Sequence, residues 1–147
     1  VAAKTTTSSQ VGRVQFFIPR DPFPGQRTNC TCRGRFATVY TPAAYRDWKD
    51  DAKDYIAGLA PQFTGIDREA EVTLSAEFVA TPPKTTKLRR PKPDIDNFLK
   101  SLMDAITQSE VLWKDDSQVA ELGRVRKRWA TPGEPPGIYV TLQFEVQ

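Results

Sequence analysis

Two kinds of hydrophobic repeat alternate along the chain. Period-two repeats read as strands with one buried face, and three- and four-residue repeats read as helices. In residues 11–18, Val14, Phe16 and Ile18 alternate with outward positions, which predicts a strand that Pro19, Pro22, Pro24 and Gly25 bring to an end. Residues 71–80 repeat the pattern with Val72, Leu74, Ala76 and Phe78 on one side. The clearest case is residues 137–147, with Ile138, Val140, Leu142, Phe144 and Val146 inward and Tyr139, Thr141, Gln143 and Glu145 outward. Residues 119–129 read as a further strand, with Arg124, Arg126 and Arg128 alternating on one side.

Two helical repeats lie between these strands. Thr41-Pro42 combines an N-cap residue with a proline at the first helical position. Tyr45, Trp48, Ala52, Tyr55, Ile56 and Leu59 then recur at helical spacing and predict a buried stripe ending near residue 59. From Asp94 to about residue 107, a turn of ~100° per residue gathers Ile95, Phe98, Leu99, Leu102 and Ile106 on one face. Asp96, Asn97, Lys100 and Asp104 fall on the opposite face. Residues 26–40 read as a loop with room for a short strand, and the Ser/Thr-rich residues 1–10 as a disordered arm. The order β, α, β, α, β, β predicts a single α+β domain over residues 11–147, built on a mixed, mostly antiparallel sheet.

Composition narrows the chemistry. The chain of 147 residues has no histidine, which removes imidazole acid–base catalysis, Ser-His-Asp and Cys-His arrangements, and imidazole metal ligands. Its two cysteines, Cys30 and Cys32, cannot close a tetrahedral zinc site or build a disulfide framework, and read as reduced thiols. With no apolar run near the ~20 residues of a membrane span and no signal-peptide pattern, the expectation is a cytoplasmic protein. The net charge of +3 permits a nucleic-acid partner without requiring one, so its distribution matters more than its total.

That distribution is uneven. Lys84, Lys87, Arg89, Arg90 and Lys92 crowd a proline-rich loop with no acid among positions 84–92. Asp94 and Asp96 follow at once, and Asp115 and Asp116 come just after Trp113. An aspartate at a helix start is an ordinary N-cap and complements the helix dipole. Capping needs only one of the pair and gives no role to the second acidic pair. Mg²⁺ takes hard oxygen ligands and keeps several waters, so two or three carboxylates and a substrate phosphate suffice. Asp94 and Asp96, with an aspartate from the segment after Trp113, are expected to converge on one ion. Such an ion acidifies a bound water and neutralises charge developing at phosphorus. Lys100, one turn beyond Asp96, is placed either to pair with Asp96 or to stabilise the transition state. A metal-dependent nuclease acting on DNA accounts for carboxylates set against a positive rim. The basic loop would grip phosphates, with Arg124, Arg126 and Arg128 as a second basic stripe.

The strings KPDIDNFLK, MDAI and VLWKDDSQV, taken together, resemble the RusA family of Holliday-junction resolvases, with looser support upstream from IPRDPFPGQRTN and AYRDW. The resemblance covers roughly residues 14–146. It implies an Mg²⁺-dependent endonuclease, with Mn²⁺ as the alternative ion, that acts in DNA recombination and repair. It further implies a homodimer placing paired nicks across branched DNA, in a family common in phages and prophages. By motif position, Asp94, Asp96 and Asp116 correspond to its metal-binding carboxylates and Lys100 to its essential lysine. Asp115 occupies the preceding acidic position, in support of Asp116. Two other classes remain open: a non-catalytic binder of branched DNA, and a metal enzyme acting on a small phosphorylated substrate. The four matching site residues weigh against the first, and the absence of a glycine-rich phosphate cradle against the second.

Overall fold

The computed structural model describes residues 8–10, 12–25, 29–33, 36–40 and 43–145; for residues 8–10, 29–33 and 36–40 the description is confined to the backbone. The elements in chain order are β1 (Ser8–Gln10), β2 (Arg13–Ile18), β3 (Asn29–Arg33), β4 (Phe36–Tyr40), α1 (Ala43–Gly58), β5 (Val72–Ala80), α2 (Ile95–Ser109), β6 (Val119–Trp129) and β7 (Gly137–Phe144). Short 3₁₀ turns at Ala60–Gln62 and Asp116–Gln118 complete them. The period-two segments assemble into one five-stranded sheet in the order β1-β2-β7-β5-β6. Every neighbouring pair is antiparallel except β5 with β6. The architecture is α+β, as the repeats predict.

The sheet buries one face because its apolar residues alternate. Val72, Leu74, Ala76 and Phe78 of β5 stand beside Ile138, Val140 and Leu142 of β7 and Val14, Phe16 and Ile18 of β2. Helix α2 lays Phe98, Leu102, Ala105 and Ile106 against that face, and Phe98 stacks on Phe78 with ring centroids 5.3 Å apart. Leu112 and Trp113 close the far end, both fully buried. Trp113 satisfies its indole N–H on the Thr107 hydroxyl at 2.7 Å. An aromatic side chain that removes ~200 Å² from water contributes about 5 kcal/mol before ordering entropy.

Several expectations change. Residues 26–40 contain a β-hairpin, β3 paired with β4 as a separate two-stranded sheet, rather than a loop with at most a short strand. No strong alternation marks those ten residues, so their pairing was invisible to periodicity. Ser8–Gln10 of the expected arm pairs with β2; residues 1–7, the Thr41-Pro42 cap and Val146 lie outside the described residues. Tyr55 is not part of the buried stripe of α1 and is exposed, because helix and sheet contact is already filled by Tyr45, Ala52 and Ile56. Phe17, which the alternation places on an outer face, is buried. Its ring lies over Gly137, where a Cβ would run into it, and packs on Tyr139 at 4.7 Å between centroids.

The sheet face away from the helices is polar. Arg126 and Arg128 reach Glu77 on β5, and Arg128 also grips Glu134 with two bonds of 2.6 and 2.7 Å. The Arg128 guanidinium holds the Glu134 carboxyl down from 4.5 to about 2. A carboxyl whose pKa falls on folding stabilises the protein above its unfolded pKa and loses that contribution as pH drops through the folded value. Wild type is therefore expected to lose stability between about pH 4.5 and 2 through this group. Glu134→Gln should cost roughly 1 kcal/mol at pH 7 and flatten the acid limb of a urea-melt series over that window. An unchanged acid limb would show that the pair contributes nothing to folding.

Candidate active site

The C-terminal ends of β2 and β5 lie together, and two proline-rich segments are pinned there. In the turn after β2, the backbone carbonyl of Asp21 accepts from the Trp48 indole at 2.8 Å. The Asp21 carboxylate accepts from the Thr81 N–H at 2.7 Å and the Thr81 hydroxyl at 2.9 Å. Phe23 stacks on Tyr45, nearly parallel, at 6.1 Å. Gly25 donates its N–H to the Asn97 carbonyl at 2.7 Å, which ties the turn to the first turn of α2. Residues 81–93 form no helix or strand, as four prolines require, yet they too are anchored. Trp129 donates to the Leu88 carbonyl at 3.0 Å, and Lys127 donates to the Pro93 carbonyl at 2.6 Å.

These anchors deliver Asp94 to the start of α2. Asp94 is the N-cap, with extended backbone, but its side chain accepts no capping hydrogen bond. Asp96 follows in the first turn. Both are exposed, and neither carboxylate has a side-chain or backbone partner among the described residues. Ordinary capping therefore does not occupy either group. Lys100 turns away from Asp96 and pairs with Asp104 at 3.2 Å. Asp104 also accepts from the Tyr45 hydroxyl at 2.7 Å. Burial, with the Asp104 bond, pushes the Tyr45 phenol well above its ordinary range, so it stays a donor.

The second acidic pair divides its work. Asp115 caps the 3₁₀ turn: its carboxylate accepts from the Ser117 N–H at 3.1 Å, and Gln118 returns the bond to the Asp115 N–H at 3.0 Å. The Ser117 bonds hold the Asp115 carboxyl below the usual range. Asp116 is half-buried and has no side-chain partner among the described residues. Gln118 fastens the turn to the Arg68 and Ala70 carbonyls, at the N-terminal end of β5.

The expected convergence of Asp94, Asp96 and Asp116 within one chain does not occur. β5 and β6 run parallel, and α2 returns between them, so Asp94 sits at one end of the helix and Asp116 beyond the other. A helix of 15 residues spans roughly 20 Å at 1.5 Å per residue. Among the described residues, no three acidic or thiol side chains lie close enough to hold an ion.

The model of the endodeoxyribonuclease RusA family matches residues 19–143. The chain belongs to that family. A crossover junction endodeoxyribonuclease RusA of Aquifex aeolicus (strain VF5) is 27% identical over 119 residues, covering 81% of this chain and 84% of its relative. Membership of the RusA family makes the chain an endodeoxyribonuclease. The matched span runs from the turn after β2 into β7 and contains both acidic pairs and Lys100.

In this RusA-family chain Lys84, Lys87, Arg89, Arg90 and Lys92 are all exposed on the loop leading to Asp94, and none makes an ion pair among the described residues. Arg124, Arg126 and Arg128 are not brought beside the carboxylates. They lie on the sheet face opposite α2, and Arg126 and Arg128 are neutralised there by Glu77 and Glu134. The alternation of β6 instead sends Lys127 to the site side. Sequence reasoning missed Lys127, Tyr45 and Asp104. Tyr45 was hidden in an apolar stripe, although a buried tyrosine usually needs a hydroxyl partner. Asp104 stood on the polar face, four residues after Lys100.

Proposed function

We propose that the chain is a divalent-metal-dependent, structure-selective endonuclease that cuts four-way or other branched DNA by paired nicks, as a homodimer. The observation that carries this reading is the carboxylate pair Asp94 and Asp96, without partners among the described residues, at the foot of a cationic loop that makes no ion pair among them. Hard oxygen donors without competing partners fit Mg²⁺, or Mn²⁺ in its place, and Asp94, Asp96 and Asp116 would hold it. When bound by these carboxylates, such an ion would supply Lewis-acid chemistry for phosphodiester hydrolysis. Lys100 stabilises charge on the scissile phosphate, and the loop from Lys84 to Lys92 holds flanking phosphates. Asp115, engaged as a cap, supports Asp116 by fixing its turn.

Because Asp116 lies beyond the far end of α2, one subunit leaves the site incomplete. A two-fold-related copy would bring its Asp116 to the Asp94 and Asp96 of the first, twice over, which also supplies the two cuts that a junction needs. Charge supports such a pairing. The Asp116 end carries exposed Glu71, Glu121 and Glu145, besides Glu69 paired with Lys114, whereas the Asp94 end carries the cationic loop. No described helix is long and apolar enough to cross a membrane, and the proposed setting is the cytoplasm.

The test is cleavage of a labelled four-way junction against linear duplex of the same sequence, with Mg²⁺ or with EDTA. Symmetric nicks on the junction alone, lost in EDTA, are expected. Tight junction binding without cutting would leave a non-catalytic DNA-binding protein.

A further inference from the structure

Lys100 has two acidic neighbours at the same helical spacing, Asp96 before it and Asp104 after it. An acid placed N-terminal to lysine makes the better pair on a helix. The structure nevertheless directs Lys100 to Asp104, at 3.2 Å, and leaves the Asp96 carboxylate without a partner among the described residues. Two features explain the choice. The Tyr45 hydroxyl, from the neighbouring helix α1, fixes the Asp104 carboxylate from the other side at 2.7 Å. Gly25 walls the lysine stem: a Cβ there would stand 2.9 Å from Lys100 Cγ and 3.0 Å from Lys100 Cβ.

A half-exposed lysine on a lone helical ion pair is weakly ordered, since the pair gains little against side-chain entropy. Here the acceptor is immobilised before the lysine arrives, and the stem is confined on one side. We infer that Asp104, held by Tyr45, is a positioning residue that sets the Lys100 ammonium for cleavage and keeps it from closing on Asp96. The inference rests on the reading that Lys100 acts on the scissile phosphate. It assigns function to a side chain outside the Asp94, Asp96 and Asp116 set. It also gives the proline-rich turn a task, because Gly25 arrives through the Asp21–Thr81 and Phe23–Tyr45 contacts.

The test is single-turnover cleavage of a four-way junction by Asp104→Asn, Tyr45→Phe and Lys100→Ala, singly and with each of the first two combined with the third. Junction affinity in EDTA and side-chain order at Lys100 Nζ, from NMR on ¹⁵N-lysine-labelled protein, are measured alongside. Lys100→Ala should slow cleavage about 100-fold. Asp104→Asn should slow it about tenfold and Tyr45→Phe about threefold, with junction affinity unchanged, as expected for a misplaced group. Neither should slow cleavage further once Lys100 is alanine, and both should loosen the Lys100 ammonium. Gly25→Ala, whose Cβ would press on the Lys100 stem and on the Asn97 carbonyl at 3.0 Å, should give the same pattern, and thermal stability measured for both variants separates a fold defect from a misplaced lysine. The same fold-loss for Asp104→Asn in the Lys100→Ala background would overturn the inference, as would an ammonium left as ordered as in wild type. Wild-type cleavage by Lys100→Ala would instead remove Lys100 from the chemistry and with it the positioning role of Asp104 in cleavage. The NMR readout separates that failure from a failure of the geometry.

Discussion

Asp96→Asn is expected to lower the rate of junction cleavage by at least about 1,000-fold while junction affinity in EDTA stays within about twofold of wild type. The substitution removes one charge and one hard oxygen donor and keeps the shape of the side chain. Asp96 holds no hydrogen bond or ion pair among the described residues, so nothing else is broken. Its neighbour Asp94 already occupies the N-cap, and Asp96 lies within the first turn, where an acid contributes only a few tenths of a kcal/mol to the helix dipole. Thermal stability should therefore hardly move. Loss of cleavage with unchanged binding and stability separates a ligand from a cap. A mutant that cuts at the wild-type rate would place the chemistry elsewhere.

Asp116→Asn should cost cleavage on the same scale, although the length of α2, roughly 20 Å, separates the ends of the subunit at which Asp96 and Asp116 lie. Asp115→Asn is the control. Asparagine still accepts the Ser117 N–H and keeps the cap, losing only its charge, so this substitution should reduce activity far less. The contrast follows from what each carboxylate already does: Asp115 is spent on Ser117, whereas Asp116 has no partner among the described residues.

The division between what periodicity revealed and what it hid has a physical basis. Val72, Leu74, Ala76 and Phe78 alternate because one sheet face is buried, and the same logic placed Phe98, Leu102 and Ile106 on the core side of α2. Asp94, Asp96 and Lys100 were legible as a local string, since a helix start fixes their spacing. Distances across the fold were not. The parallel pairing of β5 with β6 sends α2 back along the sheet, and that reversal carries Asp116 away from Asp94. Nothing local encodes it. The arginines of β6 alternate as expected, but their side of the sheet and their partners Glu77 and Glu134 depend on long-range pairing. The link from Tyr45 to Asp104 joins residues 59 positions apart and emerges only when α1 packs on α2.

The most direct measurement is nicking of a four-way junction, in Mg²⁺, by a mixture of Asp96→Asn and Asp116→Asn proteins allowed to exchange subunits. If each site takes Asp94 and Asp96 from one subunit and Asp116 from the other, a mixed dimer has one intact site and one carrying both defects. Two inactive proteins should then regain single-strand nicking together, approaching about a quarter of wild-type activity at equal concentrations with free exchange. EDTA should abolish the recovered activity. If the mixture stays as inactive as its components although mixed dimers have formed, the shared site is wrong.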